Sequence, residues 1–473
     1  MSRRFVAPSL GLVIGLVIGL TALGALPGAA SANGRLPATI SINFRAGAPS
    51  EIVAGLTFGL ATSHDGGATW SWMCDDAIGI AGGPYDPIYS YTPMGSLFAT
   101  TLNGLVVMRD RCTFAPAASA NTFVSATALG PDAFYYAAAQ TKGTNLAPDF
   151  HVYRSTDDGV TFPVQAQPDD PNDTNVWWES IAVAPSQPQT VYLSGFRYVP
   201  VTTGSAMTKR EHLLYRSDDG GMHWTDLLPV QGFPPFMQAS PLMQNSLIHI
   251  VAIASDDPLH VYARVAYIDN MTNHGLYVSS DGGMTWSLIL SQPDQFLTFV
   301  ARAAKNTNQK HDLLTATAKF GTQISHDDGT TWQTLDGAPH INCLAENAAG
   351  EMWACTQNYG VGQTQSDDAG IMKSTDLATW TKVLRYQDLV GPVLGCGDTT
   401  TEQKTCNQST LWCGVCAQLG CTPSDMYICP VAASEVPMVK AGCCDTGSGS
   451  GGPLALALSV ATLLLRPRRR STR

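Results

Sequence analysis

Residues Ser279–Trp286 read SSDGGMTW: two hydroxyls, a carboxylate, a glycine pair, a threonine and a tryptophan in eight positions. Reactive sites and tight turns share that composition, and recurrence separates them. Ser63–Trp70 (SHDGGATW), Ser155–Phe162 (STDDGVTF), Ser217–Trp224 (SDDGGMHW) and Ser325–Trp332 (SHDDGTTW) repeat the pattern S-x-D-x-G-x-T-W. Two degenerate copies fill the intervals: Met108–Phe114 (MRDRCTF), which keeps Asp110, and Ser374–Trp380 (STDLATW), which keeps Asp376. The copies start at 63, 108, 155, 217, 279, 325 and 374, spacings of 45, 47, 62, 62, 46 and 49 residues. Units of about 45 residues match a blade of four short strands, so the chain reads as all-β, a seven-bladed propeller.

The residues between the copies agree. SIAVAPSQPQTVYLSG (180–195) is an alternating strand, a proline-containing turn and a second strand; HLLYRS (212–217) is a third, and Trp224 opens a fourth. IHIVAIASDDPLHVYARVAY followed by GLYVSSDGGMTW repeats that order, as does INCLAENAAGEMWACTQN followed by GIMKSTDLATW. Period-two alternation bounded by Gly, Asp and Pro is the signal of strands and hairpins. Residues 33–390 carry no convincing helical period.

Within each copy every residue has a structural use on the third-to-fourth hairpin. The glycines supply positive φ. The hydroxyls and carboxylates (Ser63, Asp65, Asp110, Ser155, Asp157, Ser217, Asp219, Ser279, Asp281, Ser325, Asp327, Asp376) serve turn amides. The aromatics (Trp70, Phe162, Trp224, Trp286, Trp332, Trp380) fill the layer between blades. These motifs are Asp boxes, and over residues 35–390 the chain resembles the Asp-box (BNR, sialidase-like) β-propellers, which include sialidases, xyloglucanase-type glycosidases, sortilin-like receptors and photosystem-assembly propellers. The resemblance implies a fold, not a function, because one fold hosts many functions. It also implies boxes that sit away from any active site.

In an up-and-down blade the first-to-second and third-to-fourth loops share one face, while the second-to-third loops and the blade connections share the other. The boxes mark the first face, so binding is expected on the second. The excess in the two 62-residue units falls at Gln165–Val176, Val199–Glu211 and Gln231–Ser246, all on that second face. Long loops in a compact fold are often functional. The candidate ligand surface is therefore Trp177, Trp178, Glu179, Arg197, Tyr198, Phe233, Phe236 and Tyr267, since aromatics with an arginine suit carbohydrate or protein contact. Trp177 and Trp178 can equally pack the start of an inner strand.

No catalytic set stands out. A sialidase-like site requires three arginines, a Tyr–Glu pair and an Asp. The Arg-Ile-Pro motif that such enzymes place before the first box is here Phe44-Arg45-Ala46-Gly47-Ala48-Pro49. Arg45 could be joined by Arg197, Arg264 and Arg302, and Arg154 and Arg216 adjoin boxes. The xyloglucanase type needs two facing Asp residues, and none is singled out. The reading is a non-catalytic binding or scaffold module for an extracellular protein or glycan; the alternative is a sialidase-like or xyloglucanase-like glycoside hydrolase. The chain has no Gly-rich phosphate loop, His-x-x-x-His pair or EF-type loop, so neither cofactor nor metal is expected.

Both ends of the 473-residue chain read as address labels. Residues 1–32 join a basic start, an apolar run from Leu10 to Leu26 and Ala30-Ser31-Ala32, the layout of a secretory signal peptide. Residues 33–390 are the propeller, 391–430 a Cys-rich disulfide module, 431–452 a linker with Cys443-Cys444, and 453–473 an apolar segment with an Arg-rich tail. The apolar run Leu454–Leu465 is short for a span of about 20 residues. The tail resembles the myxobacterial C-terminal sorting signal. That resemblance implies removal of the tail and surface anchoring through a lipid-modified Cys443 or Cys444. Removing both labels leaves 20 basic and 37 acidic residues, a net charge of −17, which argues against nucleic acid or anionic lipid as partner. The expected form is a monomeric propeller that meets the membrane only through its processed tail.

Twelve cysteines fit an oxidising space. Cys343 and Cys355 flank a short hairpin and are expected to pair; Cys74 and Cys112 are a second candidate pair. Trp412-Cys-Gly-Val-Cys416 has thioredoxin-like spacing but lacks a βαβ context, so it reads as part of a stapled cap. Six cysteines between 396 and 429 permit 15 pairings, and none is assigned.

Overall fold

The computed structural model describes residues 36–422, apart from 81–84, 118–121, 139–148, 166, 169–175, 201–204, 206–207, 234–246, 267–272, 304–309, 361–364 and 408. The expected signal peptide and sorting tail, with Cys429, Cys443 and Cys444, lie outside these residues.

Seven antiparallel sheets follow one another along the chain. Blade 1 holds β1 (Thr39–Phe44), β2 (Ile52–Leu56), β3 (Gly59–Ser63) and β4 (Ser71–Met73). Blade 2 holds β5 (Tyr89–Tyr91), β6 (Leu97–Thr101), β7 (Gly104–Met108) and β8 (Phe114–Pro116). Blade 3 holds β9 (Val124–Leu129), β10 (Phe134–Ala138) and β11 (Val152–Ser155). Blade 4 holds β12 (Val176–Val183), β13 (Val191–Pro200), β14 (Thr208–Ser217) and β15 (Thr225–Asp226). Blade 5 holds β16 (Leu247–Ile253), β17 (Val261–Ala266), β18 (His274–Ser279) and β19 (Ser287–Gln292). Blade 6 holds β20 (Phe296–Arg302), β21 (Asp312–Thr317), β22 (Gly321–Ser325) and β23 (Gln333–Thr334). Blade 7 holds β24 (Cys343–Glu346), β25 (Met352–Cys355), β26 (Ile371–Ser374) and β27 (Thr381–Leu384). The first strands touch around the ring, β1 meeting both β5 and β24, so the ring is closed. Blade 3 departs from the expected four strands: its fourth is reduced to one bridge, Tyr153–Val164. Among the described residues of the run expected to lack helices, one α-helical turn, α1 (Asp75–Ile78), and a 3-10 turn at Tyr386–Asp388 occur.

The boxes sit on the third-to-fourth hairpins and work alike. Ser279 Oγ donates to Asp281 Oδ1 (2.8 Å) and accepts from Gly283 N (2.8 Å). Asp281 also accepts from the backbone N of Met284 (3.0 Å) and Thr285 (2.9 Å) and from Thr285 Oγ1 (2.6 Å). Trp286 Nε1 returns to Gly283 O (2.9 Å). The Ser–Asp bond recurs at Ser63–Asp65, Ser155–Asp157, Ser217–Asp219, Ser325–Asp327 and Ser374–Asp376. In the degenerate second copy, Asp110 still accepts from Cys112 N and Thr113 N. Gly282 and Gly283 have φ of 75° and 93°, the region where a Cβ is disfavoured. A Cβ on Gly282 would strike the Arg216 guanidinium, and one on Gly283 would strike Leu227, both in blade 4. Each box therefore presses on the preceding blade, and apolar clusters such as Tyr192, Leu214, Phe233, Ile248, Tyr277 and Trp286 fill the wedge between neighbours.

Among the described residues no strand is exchanged between the first and last blades. The seam is closed by the chain after β27. Tyr386 is fully buried and its hydroxyl meets Thr39 Oγ1 (2.9 Å). Residues 390–393 then run beside β4: Val390 N donates to Trp70 O (3.0 Å), Trp72 N to Gly391 O (2.8 Å) and Val393 N to Trp72 O (3.0 Å). Two disulfides fasten the next stretch of chain, Cys112–Cys396 to blade 2 and Cys74–Cys406 to blade 1. These replace the Cys74–Cys112 pairing expected from the sequence: Cys112 lies within its box hairpin and Cys74 just past β4, and each meets the chain that returns after blade 7. Cys343–Cys355 forms as expected across β24 and β25, where the two residues are in register. Cys416 pairs with Cys421, and Cys413 is also disulfide-bonded. Helix α2 (Ser409–Leu419) seats Trp412 against Trp72, ring centroids 5.3 Å apart, within the apolar cluster of blades 1 and 7. Beneath it lies Glu402, fully buried, one oxygen accepting from Val393 N (3.2 Å) and the other without a partner among the described residues.

Candidate functional site

The two faces separate as the blade geometry requires. On the box face, a first-to-second loop carbonyl accepts from a box amide: Gly66 N to Ser50 O, Gly220 N to Gln189 O, Gly282 N to Leu259 O and Asp328 N to His311 O. The opposite face carries the ends of the second strands, the starts of the third and the starts of the first. A recess of about 220 Å³ opens there across blades 4 and 5 to the edge of blade 6. Its lining is Glu179, Arg210, Leu247, Arg264, Ala266, His274 and Gln295.

Glu179 reaches the recess through a strand irregularity. Trp178 pairs with Gly195 and Ser180 with Ser194, so Glu179 is the extra residue of a bulge in β12. Bulges re-aim a side chain and recur beside functional sites. Burial pushes its carboxyl above the ordinary range, and the nearby Arg210 and Arg264 charges pull it partly back. Arg264 lies near the end of β17; its Nη1 donates to Phe296 O of blade 6 (2.8 Å), while its buried Nε has no partner among the described residues. Arg210 lies near the start of β14 and is held by rings, its guanidinium 3.9 Å from the Phe196 centroid and 5.9 Å from that of Tyr198.

Two flanking histidines stay neutral. His249, across from Arg264 in register, is pushed down to about 3 by burial and by that arginine. His212 is pushed down to about 4 by burial and by Arg210. The fixed charges of the recess are thus two guanidinium groups against one carboxylate, in partly desolvated surroundings where charge contacts gain strength. Such an arrangement can hold an anionic group. It supplies one carboxyl among the described lining residues, where glycoside hydrolysis ordinarily uses two.

The residues expected at the ligand surface divide. Glu179 lines the recess. Tyr198 lies beside it, edge-on to Phe196 and helping to hold Arg210. Arg197 is turned to Glu211 (2.6 Å), away from the recess lining. Trp177 is half-buried, tilted against Phe123 at 5.4 Å. Trp178 and Phe233 do not reach the surface and are corrected to core positions. Trp178 is fully buried with Nε1 donating to Phe150 O (2.7 Å). Phe233 stacks on the box tryptophan Trp286 (4.8 Å). The large apolar rings bury because the wedge between blades is where they remove most surface from water. Phe236 and Tyr267 lie outside the described residues.

The arginine clamp of the sialidase-like alternative does not assemble from the four arginines proposed for it. Arg45 follows β1 and Arg302 ends β20, both on the box face, with Arg45 Nε on Pro93 O and Arg302 on Glu346. Arg197 and Arg264 are on the opposite face. Arg210, Leu247, Ala266, His274 and Gln295 were not singled out from the sequence. The available signal was positional: Arg210 stands two residues before the strand HLLYRS and His274 immediately before GLYVS, both toward strand ends on the non-box face.

The BNR/Asp-box repeat family matches residues 277–288. No curated protein sequence matches the chain. Among solved structures, the chain is similar to the GH74 xyloglucanase from Xanthomonas campestris (17% identity, 76% of this chain and 58% of that one, TM-score 0.38). It is also similar to an ancestral GH74 enzyme (16%, 71% and 46%, TM-score 0.47) and to YCF48 from Cyanidioschyzon merolae (11%, 67% and 92%, TM-score 0.42). The chain thus spans about half the length of the two GH74 structures. The Asp-box repeats and the seven-bladed β-propeller are carried by this chain's own repeat match and its seven sheets.

Proposed function

We propose that this propeller is a non-catalytic binding module that takes an anionic group of a protein or glycan ligand into the recess on the face opposite its Asp boxes. The observation that carries the reading is the pairing of Arg210 and Arg264 around a single partly desolvated carboxyl, with Arg264 Nε unpartnered among the described residues. A buried donor without an acceptor is costly, and an incoming carboxylate or sulfate relieves that cost. The module works outside the cytosol, where disulfides persist, exported by its signal peptide and anchored at the cell surface through Cys443 or Cys444. The glycoside hydrolase alternative rests on Glu179, whose raised carboxyl suits a general acid.

One experiment separates the two. The mature protein is tested on an array of sialylated, uronate-bearing, sulfated and neutral glycans, and with fluorogenic sialosides and β-glucans. The expected result is retention of acidic ligands without turnover, weakened at least about tenfold in Arg264→Ala. Turnover abolished by Glu179→Gln would replace binding with hydrolysis. Equal retention of neutral and acidic glycans would refute the anionic reading.

A further inference from the structure

A second constellation lies on the box face, between blades 5 and 6. His260 ends the β16–β17 loop, His311 ends the β20–β21 loop, and Asp328 belongs to the box of blade 6. One ligand atom from each of the three falls within 4.8 Å of the others. His311 Nδ1 stands 2.7 Å from Asp328 Oδ1, and His260 Nε2 stands 3.8 Å from the same oxygen. His260 Nε2 is buried and makes no hydrogen bond among the described residues, so an imidazole nitrogen points into the cluster without a bonding partner there.

We propose that His260, His311 and Asp328 bind one divalent transition-metal ion of the zinc class. Two imidazoles and a carboxylate are ligands that zinc accepts, and three protein ligands leave a further position for water or an outside group. The outer contacts are those of a metal site. The other nitrogen of His311, Nε2, meets Asp256 Oδ1 at 2.8 Å, the carboxylate–histidine arrangement that fixes the tautomer and frees Nδ1 for a metal. Asp328 Oδ1 also accepts from His311 N (3.0 Å) and Tyr262 Oη (3.2 Å). Asp328 stands at the box position that blades 1, 4 and 5 fill with Gly66, Gly220 and Gly282 and blade 3 with Asp158; there its carboxylate reaches both histidines. His311 is almost wholly buried while Asp256 is half exposed, which gives the ion a route from solvent. Without metal a proton takes its place, and His311 bridges Asp256 and Asp328.

The test uses untagged mature protein, stripped with a chelator and titrated with Zn2+ by calorimetry, with Co2+ absorption as a second readout. The expected result is one equivalent per chain, with the visible bands of a nitrogen-ligated cobalt ion. His260→Ala weakens uptake by more than about 100-fold, and Asp256→Asn, which removes only the outer carboxylate, by about 10–100-fold. His260→Gln, of similar size, controls for packing. No stoichiometric uptake by the native chain, or uptake unchanged in His260→Ala, would overturn the proposal and leave the cluster a proton-bridged ion pair.

Discussion

The seam between blades 1 and 7 offers a perturbation whose size comes from chain topology. Cys74–Cys406 joins residues 332 apart and Cys112–Cys396 joins residues 284 apart, one loop nested in the other. With both present, the second bond to form closes only the 38 residues from Cys74 to Cys112 and the 10 from Cys396 to Cys406. Removing either bond alone therefore releases a loop of about 48 residues, worth about 4 kcal/mol on the chain-entropy account. Removing both releases the whole ring as well, for a total of about 10 kcal/mol. The quadruple variant should thus lose about 1.5–2 kcal/mol more than the two pair variants added together. Cys→Ala at each pair, and at all four positions, is followed by guanidinium denaturation, read by tryptophan fluorescence and far-ultraviolet dichroism together. Coincident transitions license the comparison. Strictly additive losses, or losses below about 1 kcal/mol for each pair, would refute the reasoning and assign the seam to Tyr386, Trp412 and the strand at 390–393.

Glu402 predicts a pH dependence. Burial holds its folded carboxyl up to about 8 from an unfolded 4.5, so the native state keeps a proton that the unfolded chain releases. Its contribution is fully present below about pH 4.5 and is lost progressively as pH rises from there to about 8, on the order of 5 kcal/mol. Glu402→Gln should flatten stability across that window; an unchanged slope in denaturation midpoints would contradict the assignment. In the box of blade 5, Ser279→Ala strands the amide of Gly283 and one contact of Asp281, and should cost about 1–3 kcal/mol by the same denaturation assay. A cost near zero would mean that water replaces the hydroxyl.

The fold was legible because its signal is local. Eight residues such as SSDGGMTW contain the donor, the acceptors, the positive-φ glycines and the ring that one hairpin needs, and seven such hairpins give blade number and mark a face. The Cys343–Cys355 bond was legible for the same reason, since one hairpin places both residues. The seam was not. Cys74 meets Cys406, and Trp72 meets Trp412, only after seven blades have closed, and no spacing encodes that. The recess is likewise assembled from Glu179, Arg210, Arg264 and Gln295, drawn from three blades. The tryptophans that drew attention in sequence were the residues most needed by the core, so Trp178 went inside while its bulged neighbour Glu179 faced the recess.

The paired disulfides have a meaning for durability as well as for folding. The connections at 165–175, 201–207 and 231–246 fall between Cys112 and Cys396. A protease that cuts any of them leaves two pieces held together twice over, by Cys112–Cys396 and by Cys74–Cys406. Such a molecule migrates as one body until it is reduced, and only then as two. A nick on the face opposite the boxes would therefore not shed half of the propeller, a useful property for the surface-held module proposed here.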